Sequence, residues 1–188
     1  MKLIPAASYR LMPWKNGGGF TAEIHVAGPD ATNFDWRVSI ATVSSDGPFS
    51  RFAGYDRHIM TIAGAGMILD GGPDGPIIVA PTFKPCRFSG DWRIDGRLID
   101  GPARDFNLIV KAASFESSLE VHWATNAPDL AAGNGWLVIH VLEGEVSGTG
   151  GLSVPSGDSL ILAPGERLRL HPVDAVRLAL ARVLPRAT

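Results

Sequence analysis

The segment Pro13-Trp14-Lys15-Asn16-Gly17-Gly18-Gly19-Phe20-Thr21-Ala22-Glu23-Ile24 carries the least ordinary chemistry of the chain. Three consecutive glycines at the start of a strand tolerate positive φ and close backbone approach. The N–H groups of Gly17, Gly18 and Gly19 can therefore form an anion-binding nest, and the same triplet serves equally well as a plain turn or β-bulge. No helical pattern follows it, which excludes a P-loop or Rossmann phosphate site. Arg57, just after Gly54-Tyr55-Asp56, offers a planar guanidinium fork to a carboxylate, or a structural ion pair to Asp56 or another acid. Asn16 and Thr21 can give neutral hydrogen bonds to a formyl or amide group, with Trp14 or Phe49 as an apolar wall.

Other polar residues gain meaning from alternation. Thr21, Glu23 and His25 share one face of their run, and Arg37 and Ser39 share one face of theirs. Facing inward on neighbouring strands, Glu23 and Arg37 would pair inside a polar pocket; facing outward, they would be an ordinary solvated surface. Nucleophilic catalysis has little support. Cys86 sits between Pro85 and Arg87 without an identifiable base, and the chain contains no Gly-x-Ser-x-Gly elbow. His122 beside Glu120 reads as a structural pair or a ligand-orienting one. Five scattered histidines and one cysteine make no chelating spacing, so no metal or other cofactor is expected.

Strands must position these groups. Phe20, Ala22, Ile24 and Val26 alternate with polar residues, as do Trp36, Val38 and Ile40, and Leu119, Val121 and Trp123. Turn clusters separate the runs: Gly28-Pro29-Asp30, Ser45-Asp46-Gly47-Pro48, Asp70 to Pro76, Gly101-Pro102 and Gly148 to Gly151. One or two helical turns are expected only over Ala127-Pro128-Asp129-Leu130-Ala131-Ala132. Glu166 to Leu170 and Val176 to Ala181 read as strands with one exposed face. The 22 glycines and 14 prolines in 188 residues exceed the roughly 12% of ordinary chains, yet 45% of residues are hydrophobic. An all-β sandwich or barrel with many turns satisfies both numbers.

Charge narrows the partners. Lys and Arg number 17 against 19 Asp and Glu, with no basic cluster, which argues against nucleic acid. The longest run free of Asp, Glu, Lys and Arg is 13 residues, Leu130 to Leu142, too short for a membrane-spanning helix. No signal-peptide apolar region is present, and a single cysteine fits a cytoplasmic location.

A weak duplication is also visible. Thr61 to Gly66 followed by Gly75 to Pro81 parallels Val141 to Val146 followed by Gly157 to Pro164, each reading strand, glycine turn, strand, Ala-Pro. The second copy, with Gly157-Asp158 and Pro164-Gly165, resembles the turn signatures of cupins. The metal ligands usual in cupin enzymes are missing: His140 stands alone, and Leu168 holds the place of the later histidine. Trp14-Lys15-Asn16-Gly17-Gly18-Gly19 with Thr21 and Glu23, Trp36 to Ala41, Asp46-Gly47-Pro48-Phe49-Ser50, Gly54-Tyr55-Asp56-Arg57 and Asp105-Phe106-Asn107-Leu108 resemble the HutD/Ves family.

That resemblance implies a bicupin, two double-stranded β-helix (jelly-roll-like) barrels in one chain. It also implies an association with bacterial histidine utilisation, in a brake or sensor role responding to an intermediate such as formylglutamate or urocanate. The expectation is an N-terminal barrel over residues 1–112 and a structural C-terminal barrel over 113–188. The N-terminal barrel would bind a small anionic metabolite through Asn16, Gly17, Gly18, Gly19, Thr21, Glu23, Arg37, Ser39, Phe49 and Arg57. No catalytic residue is assigned. The alternatives are a metal-independent isomerase or hydrolase using Glu23, Asp56 or a histidine, and an oligomerisation module; a homodimer is plausible by fold analogy.

Overall fold

A computed structural model describes residues 1–30 and 32–187. The described residues form strands joined by turns, with two short 3₁₀ turns at Ala6–Ser8 and Thr149–Gly151 as the helical content. The chain divides into two compact units, Arg10–Ser114 and a second made of Met1–Tyr9 with the chain from Phe115 onward. The first nine residues join the second unit because Lys2–Ile4 pairs antiparallel with Ser159–Leu162.

In the Arg10–Ser114 unit, six antiparallel strands lie side by side in the order Arg10–Pro13, Gly19–Ala27, Trp36–Val43, Ala103–Lys111, Tyr55–Ala63 and Cys86–Ser89. A smaller sheet orders Gly47–Pro48, Asp95–Leu98, Met67–Asp70 and Ile77–Val79. Ala41, Val43 and Ile59 of the large sheet pack with Met67, Leu69 and Val79 of the small one, so the two sheets face each other across a shared core. The opposite face of the large sheet is buried as well, at Trp36, Val38, Ile40, Met60, Phe106 and Leu108. With one face already filled by large apolar side chains, polar residues of the same strands point toward the small sheet.

The second unit has a five-stranded sheet, Lys2–Ile4, Ser159–Leu162, Trp136–Glu143, Val176–Pro185 and Phe115–Ala124, with a two-stranded and a three-stranded sheet. Its core cluster is aliphatic: Leu137, Ile139, Val141, Leu160, Leu162, Leu178 and Leu180 meet Leu130, Val146, Val154 and Leu170. The helical turn expected at residues 127–132 is instead extended, and Asp129–Ala131 pairs with Arg167–Arg169. Six residues are too few to nucleate a helix. Extension buries Leu130 in the core and sets Asp129 2.9 Å from Arg167. Gly64 and Gly144, the glycines of the two similar sequence segments, both sit in turns after a long strand with φ of 86° and 81°.

Candidate functional site

Strand register brings the polar residues together. Residues directly opposite on paired strands share a face, so Thr21, Ala41, Asp105 and Thr61 form one row across the large sheet. Glu23, Ser39, Asn107 and Ile59 form the next row, and Arg37, Ile109, Arg57 and Phe88 a third. Successive rows are two residues apart, about 7 Å. They open on a cavity of about 470 Å³ lined by Asn16, Thr21, Arg37, Ser39, Phe49, Phe52, Arg57, Asp105 and Asn107, with Trp14 and Lys15 beside them.

The Asn16 turn explains the glycines. Trp14 N–H donates to the Gly19 carbonyl at 2.9 Å, and Gly17 N–H donates to the Trp14 carbonyl at 3.1 Å. Gly17 takes φ +72°, whereas a Cβ at Gly19 would lie 2.1 Å from the Thr42 carbonyl oxygen. Close packing thus fixes the turn, and the turn presents Trp14 and Asn16. The Trp14 indole donates to Thr21 Oγ1 at 2.9 Å, while Asn16 Oδ1 accepts the Gly18 N–H at 3.1 Å. Phe49 is placed by the preceding Asp46-Gly47-Pro48: Asp46 Oδ1 accepts the Leu98 N–H at 2.8 Å, and the Phe49 N–H reaches the Ile94 carbonyl at 2.8 Å. Its ring lies where a side chain at Gly96 would otherwise stand.

Two guanidinium groups dominate the electrostatics. Arg57, 6% exposed, has its guanidinium carbon 5.5, 5.4 and 5.0 Å from the ring centroids of Phe49, Phe52 and Phe88. It donates to the Ser50 carbonyl at 3.1 Å and to Asn107 Oδ1 at 3.2 Å. Burial pulls its pKa down to about 10, opposed by the charge of Asp105. Arg37 lies over the rings of Phe34 and Phe52 at 5.1 and 5.0 Å, and burial again lowers its pKa, opposed by Glu23. Cation–π contact offsets part of the cost of taking each charge out of water, at about 2 kcal/mol for a desolvated pair. The Asn107 amide, whose oxygen accepts from Arg57, donates to Asp105 Oδ1. Asp105 is 1% exposed, and burial pushes its carboxyl up to about 7 despite that hydrogen bond and Arg57. Among the described residues the buried side-chain polar atoms without a partner are Arg37 Nε, Arg57 Nε and Asp105 Oδ2, and all three belong to the lining of this cavity.

The structure thus brings Asn16, Thr21, Arg37, Ser39, Phe49 and Arg57 to the lining of one cavity. Gly17, Gly18 and Gly19 form the turn behind Asn16 rather than a surface of the cavity, because Gly18 and Gly19 are packed against Ser45 and Thr42. Glu23 is on the inward face beside Ser39 but outside the lining, with Oε1 3.3 Å from Arg10 instead of paired to Arg37. A bulge after Glu23 breaks the alternation, and His25 packs on Trp36 with ring centroids 5.0 Å apart. Asp105 and Asn107 are among the lining residues to which the sequence alone assigns no role. Their signal is a pair of polar residues spaced by two at the start of the otherwise apolar run Asp105-Phe106-Asn107-Leu108-Ile109-Val110.

Asp56 is bound to Arg87 at 2.8 Å, away from the cavity. The lining includes one carboxylate and neither imidazole nor thiol, a donor set that does not fit a transition metal. Among the described residues no three His, Cys, Asp or Glu groups are placed to hold a metal ion.

The sequence model of the HutD family matches residues 6–180. The chain belongs to the HutD family. It is 42% identical over 123 residues to the 21.2 kDa protein of the hutC 3′ region of Pseudomonas putida, covering 64% of this chain and 63% of that protein. Protein Ves of Escherichia fergusonii is 31% identical over 116 residues, 60% of each. The match spans less than two thirds of the length of these curated relatives. HutD from Pseudomonas fluorescens SBW25 superposes with a TM-score of 0.83 at 33% identity, covering 99% of both chains. A cupin 2 conserved barrel domain protein from Leptotrichia buccalis, 10% identical, matches with a TM-score of 0.59 over 87% of this chain and 88% of that one, which marks the fold of this HutD-family chain as cupin-like. No helix among the described residues is long and apolar enough to cross a membrane.

Proposed function

We propose that this protein binds a small carboxylate metabolite in the cavity of the Arg10–Ser114 unit, as a regulatory or accessory component of histidine utilisation. The observation that carries the reading is two guanidinium groups at one cavity, Arg57 buried and Arg37 half-buried, each with a buried, unpartnered Nε and each stacked on aromatic rings. A guanidinium drawn out of water with a donor unmatched is costly, and a ligand carboxylate supplies the missing acceptor. Arg57 and Arg37 are the anchors, Asn16 and Ser39 the neutral polar wall, and Phe49 and Phe52 the apolar one. The cavity volume suits a molecule of metabolite size. The metabolic assignment draws on the hutC-region relative and the HutD of P. fluorescens, the latter solved in a formate condition. The two units are read as two cupin barrels, the second serving as structure, and the protein is read as cytoplasmic.

Thermal shift and calorimetry with N-formylglutamate, urocanate and N-acetylglycine, each against its uncharged amide, test this. A ligand present at 100 times its Kd adds about 2.7 kcal/mol to stability. The acids should raise the melting temperature and the amides should not; equal responses would overturn the reading. One observation favours an enzymatic alternative, the Asp105 carboxyl with its pKa near 7 in the same cavity. Following each bound acid by NMR for turnover separates the two.

A further inference from the structure

Arginine anchors leave the opposite charge in the cavity unexplained. Asp105 is almost wholly buried, its Oδ1 is held by the Asn107 amide, and its Oδ2 has no partner. The hydrogen bonds made by neighbouring donors do not reach it. Asn107 gives one amide N–H to Oδ1, Arg57 directs Nη1 to the Ser50 carbonyl and Nη2 to Asn107, and Arg57 Nε makes no hydrogen bond. On the Asp105 row, Ala41 has no donor, and the Thr61 hydroxyl donates to the Val79 carbonyl at 2.7 Å. An acceptor oxygen buried without a donor costs about 1–3 kcal/mol, and this one belongs to a residue lining the cavity. Asp105 lies two rows, about 13 Å along the sheet, from the row of Arg37 and Arg57. Asn107, in the row between, bridges the two: it accepts from Arg57 Nη2 at 3.2 Å and donates to Asp105 Oδ1, so one amide group separates anchor and acceptor.

We propose that Asp105 is a specificity-determining residue: its free oxygen accepts an N–H or O–H from the ligand, so the cavity selects carboxylates that also carry a hydrogen-bond donor. N-acyl amino acids and hydroxy acids have this chemistry. A second carboxylate at the Asp105 end, or an ester oxygen in place of the N–H, faces an acceptor with an acceptor and is rejected. The inference rests on the carboxylate reading of the same site and adds the polarity that the ligand's other end must have.

Matched pairs differing only in N–H against O test it: N-acetylglycine with acetoxyacetate, N-acetylalanine with O-acetyllactate, and N-acetylglutamate with 2-acetoxyglutarate. Calorimetry on the wild-type protein at pH 8 should show the N–H member of a binding pair at least tenfold tighter, since a site built around a hydrogen bond discriminates strongly against its loss. In Asp105→Asn, whose amide can turn either oxygen or N–H to the ligand, the preference should fall to within about threefold while binding persists. Equal wild-type affinities within every binding pair, or full preference retained in Asp105→Asn, would overturn the role of Asp105 and leave the carboxylate reading intact. Failure of every acid to bind the wild type would overturn the carboxylate reading, and the role of Asp105 with it. Should Asp105→Asn fold poorly, the wild-type comparison decides alone.

Discussion

Replacing Arg57 by methionine keeps most of the side-chain volume and removes the charge, and the structure fixes what is lost on each side of the balance. Ligand-free, the guanidinium gives up two charge-assisted hydrogen bonds, to Ser50 and Asn107, worth about 1.5–3 kcal/mol each. It also loses its stacking on Phe49, Phe52 and Phe88, at about 2 kcal/mol. Against these stands the penalty for burying an arginine, several kcal/mol, whose size shows in a pKa pulled down to about 10. Methionine recovers that penalty and still packs against the three rings. The net change in stability is therefore within about 2 kcal/mol, a few degrees in melting temperature. Carboxylate affinity has no such compensation, because removing one partner of a buried charge pair costs about 2–5 kcal/mol, roughly 30-fold or more in Kd. Calorimetry and thermal melts of wild type and Arg57→Met on the same preparation read both quantities. Affinity lost by less than threefold would refute the anchor role. A melting temperature lowered by 20 °C would refute the balance drawn between burial and contacts.

The turn behind Asn16 and the buried histidine give two further tests. Gly19→Ala forces a Cβ to 2.1 Å from the Thr42 carbonyl oxygen and 3.2 Å from the Trp14 ring, so it should destabilise by several kcal/mol and weaken ligand binding as Trp14 shifts. Gly17→Ala meets only the cost of φ +72° in open space, about 1 kcal/mol, and comparable melting temperatures for the two variants would contradict this. His58 is buried on the face away from the cavity, and burial with the nearby Arg87 pulls its pKa down to about 4. Folding holds it neutral where the unfolded chain would protonate it, so its contribution to stability is present above about 6.5 and lost as pH falls toward 4. In the NMR titration its ring should remain neutral at pH 5.5; protonation near 6.5 would show that it is not so enclosed.

Much of this was legible from side-chain alternation. The runs at Phe20 to Val26 and Trp36 to Ile40 announce strands, and the polar set Thr21, Arg37 and Ser39 announces a shared face. Which face turns inward was not legible, since an apolar-in rule hides Phe20, and that ring is 40% exposed. Both faces of the large sheet are buried, and neighbouring strands rather than local pattern decide that Arg37 and Ser39 meet the cavity. Asp105 and Asn107 escaped for a related reason. Their meaning depends on pairing with residues some 45 to 70 positions away, at Ala41, Ser39 and Arg57. The bulge after Glu23 is similarly invisible, and it separates Glu23 from His25 although the sequence sets them in one period. Residues 127–132 misled in the opposite direction, because helix-compatible composition yields to the burial of Leu130.

The contrast between the two units argues further for where function sits. In the second unit the inward positions of the long strands are Leu137, Ile139, Val141, Leu178 and Leu180, each at most 1% exposed. A buried polar chain on its large sheet runs from His140 Nδ1 to Ser159 Oγ at 2.9 Å and on to Tyr9 at 2.8 Å, and Tyr9 donates to the Gly157 carbonyl at 2.7 Å. Burial raises the Tyr9 pKa to about 12, so the phenol stays protonated and the chain has a donor for each acceptor. A satisfied network of this kind holds its strand pairing and has nothing left to offer a ligand. In the Arg10–Ser114 unit the corresponding sheet face carries Arg37, Arg57 and Asp105, each with an unmatched atom, around a cavity. Natural folds keep buried polar atoms paired unless something else completes them. The unmatched atoms are two donors and one acceptor, and a ligand of the proposed kind would complete them by presenting an anion to the arginines and a donor to the aspartate.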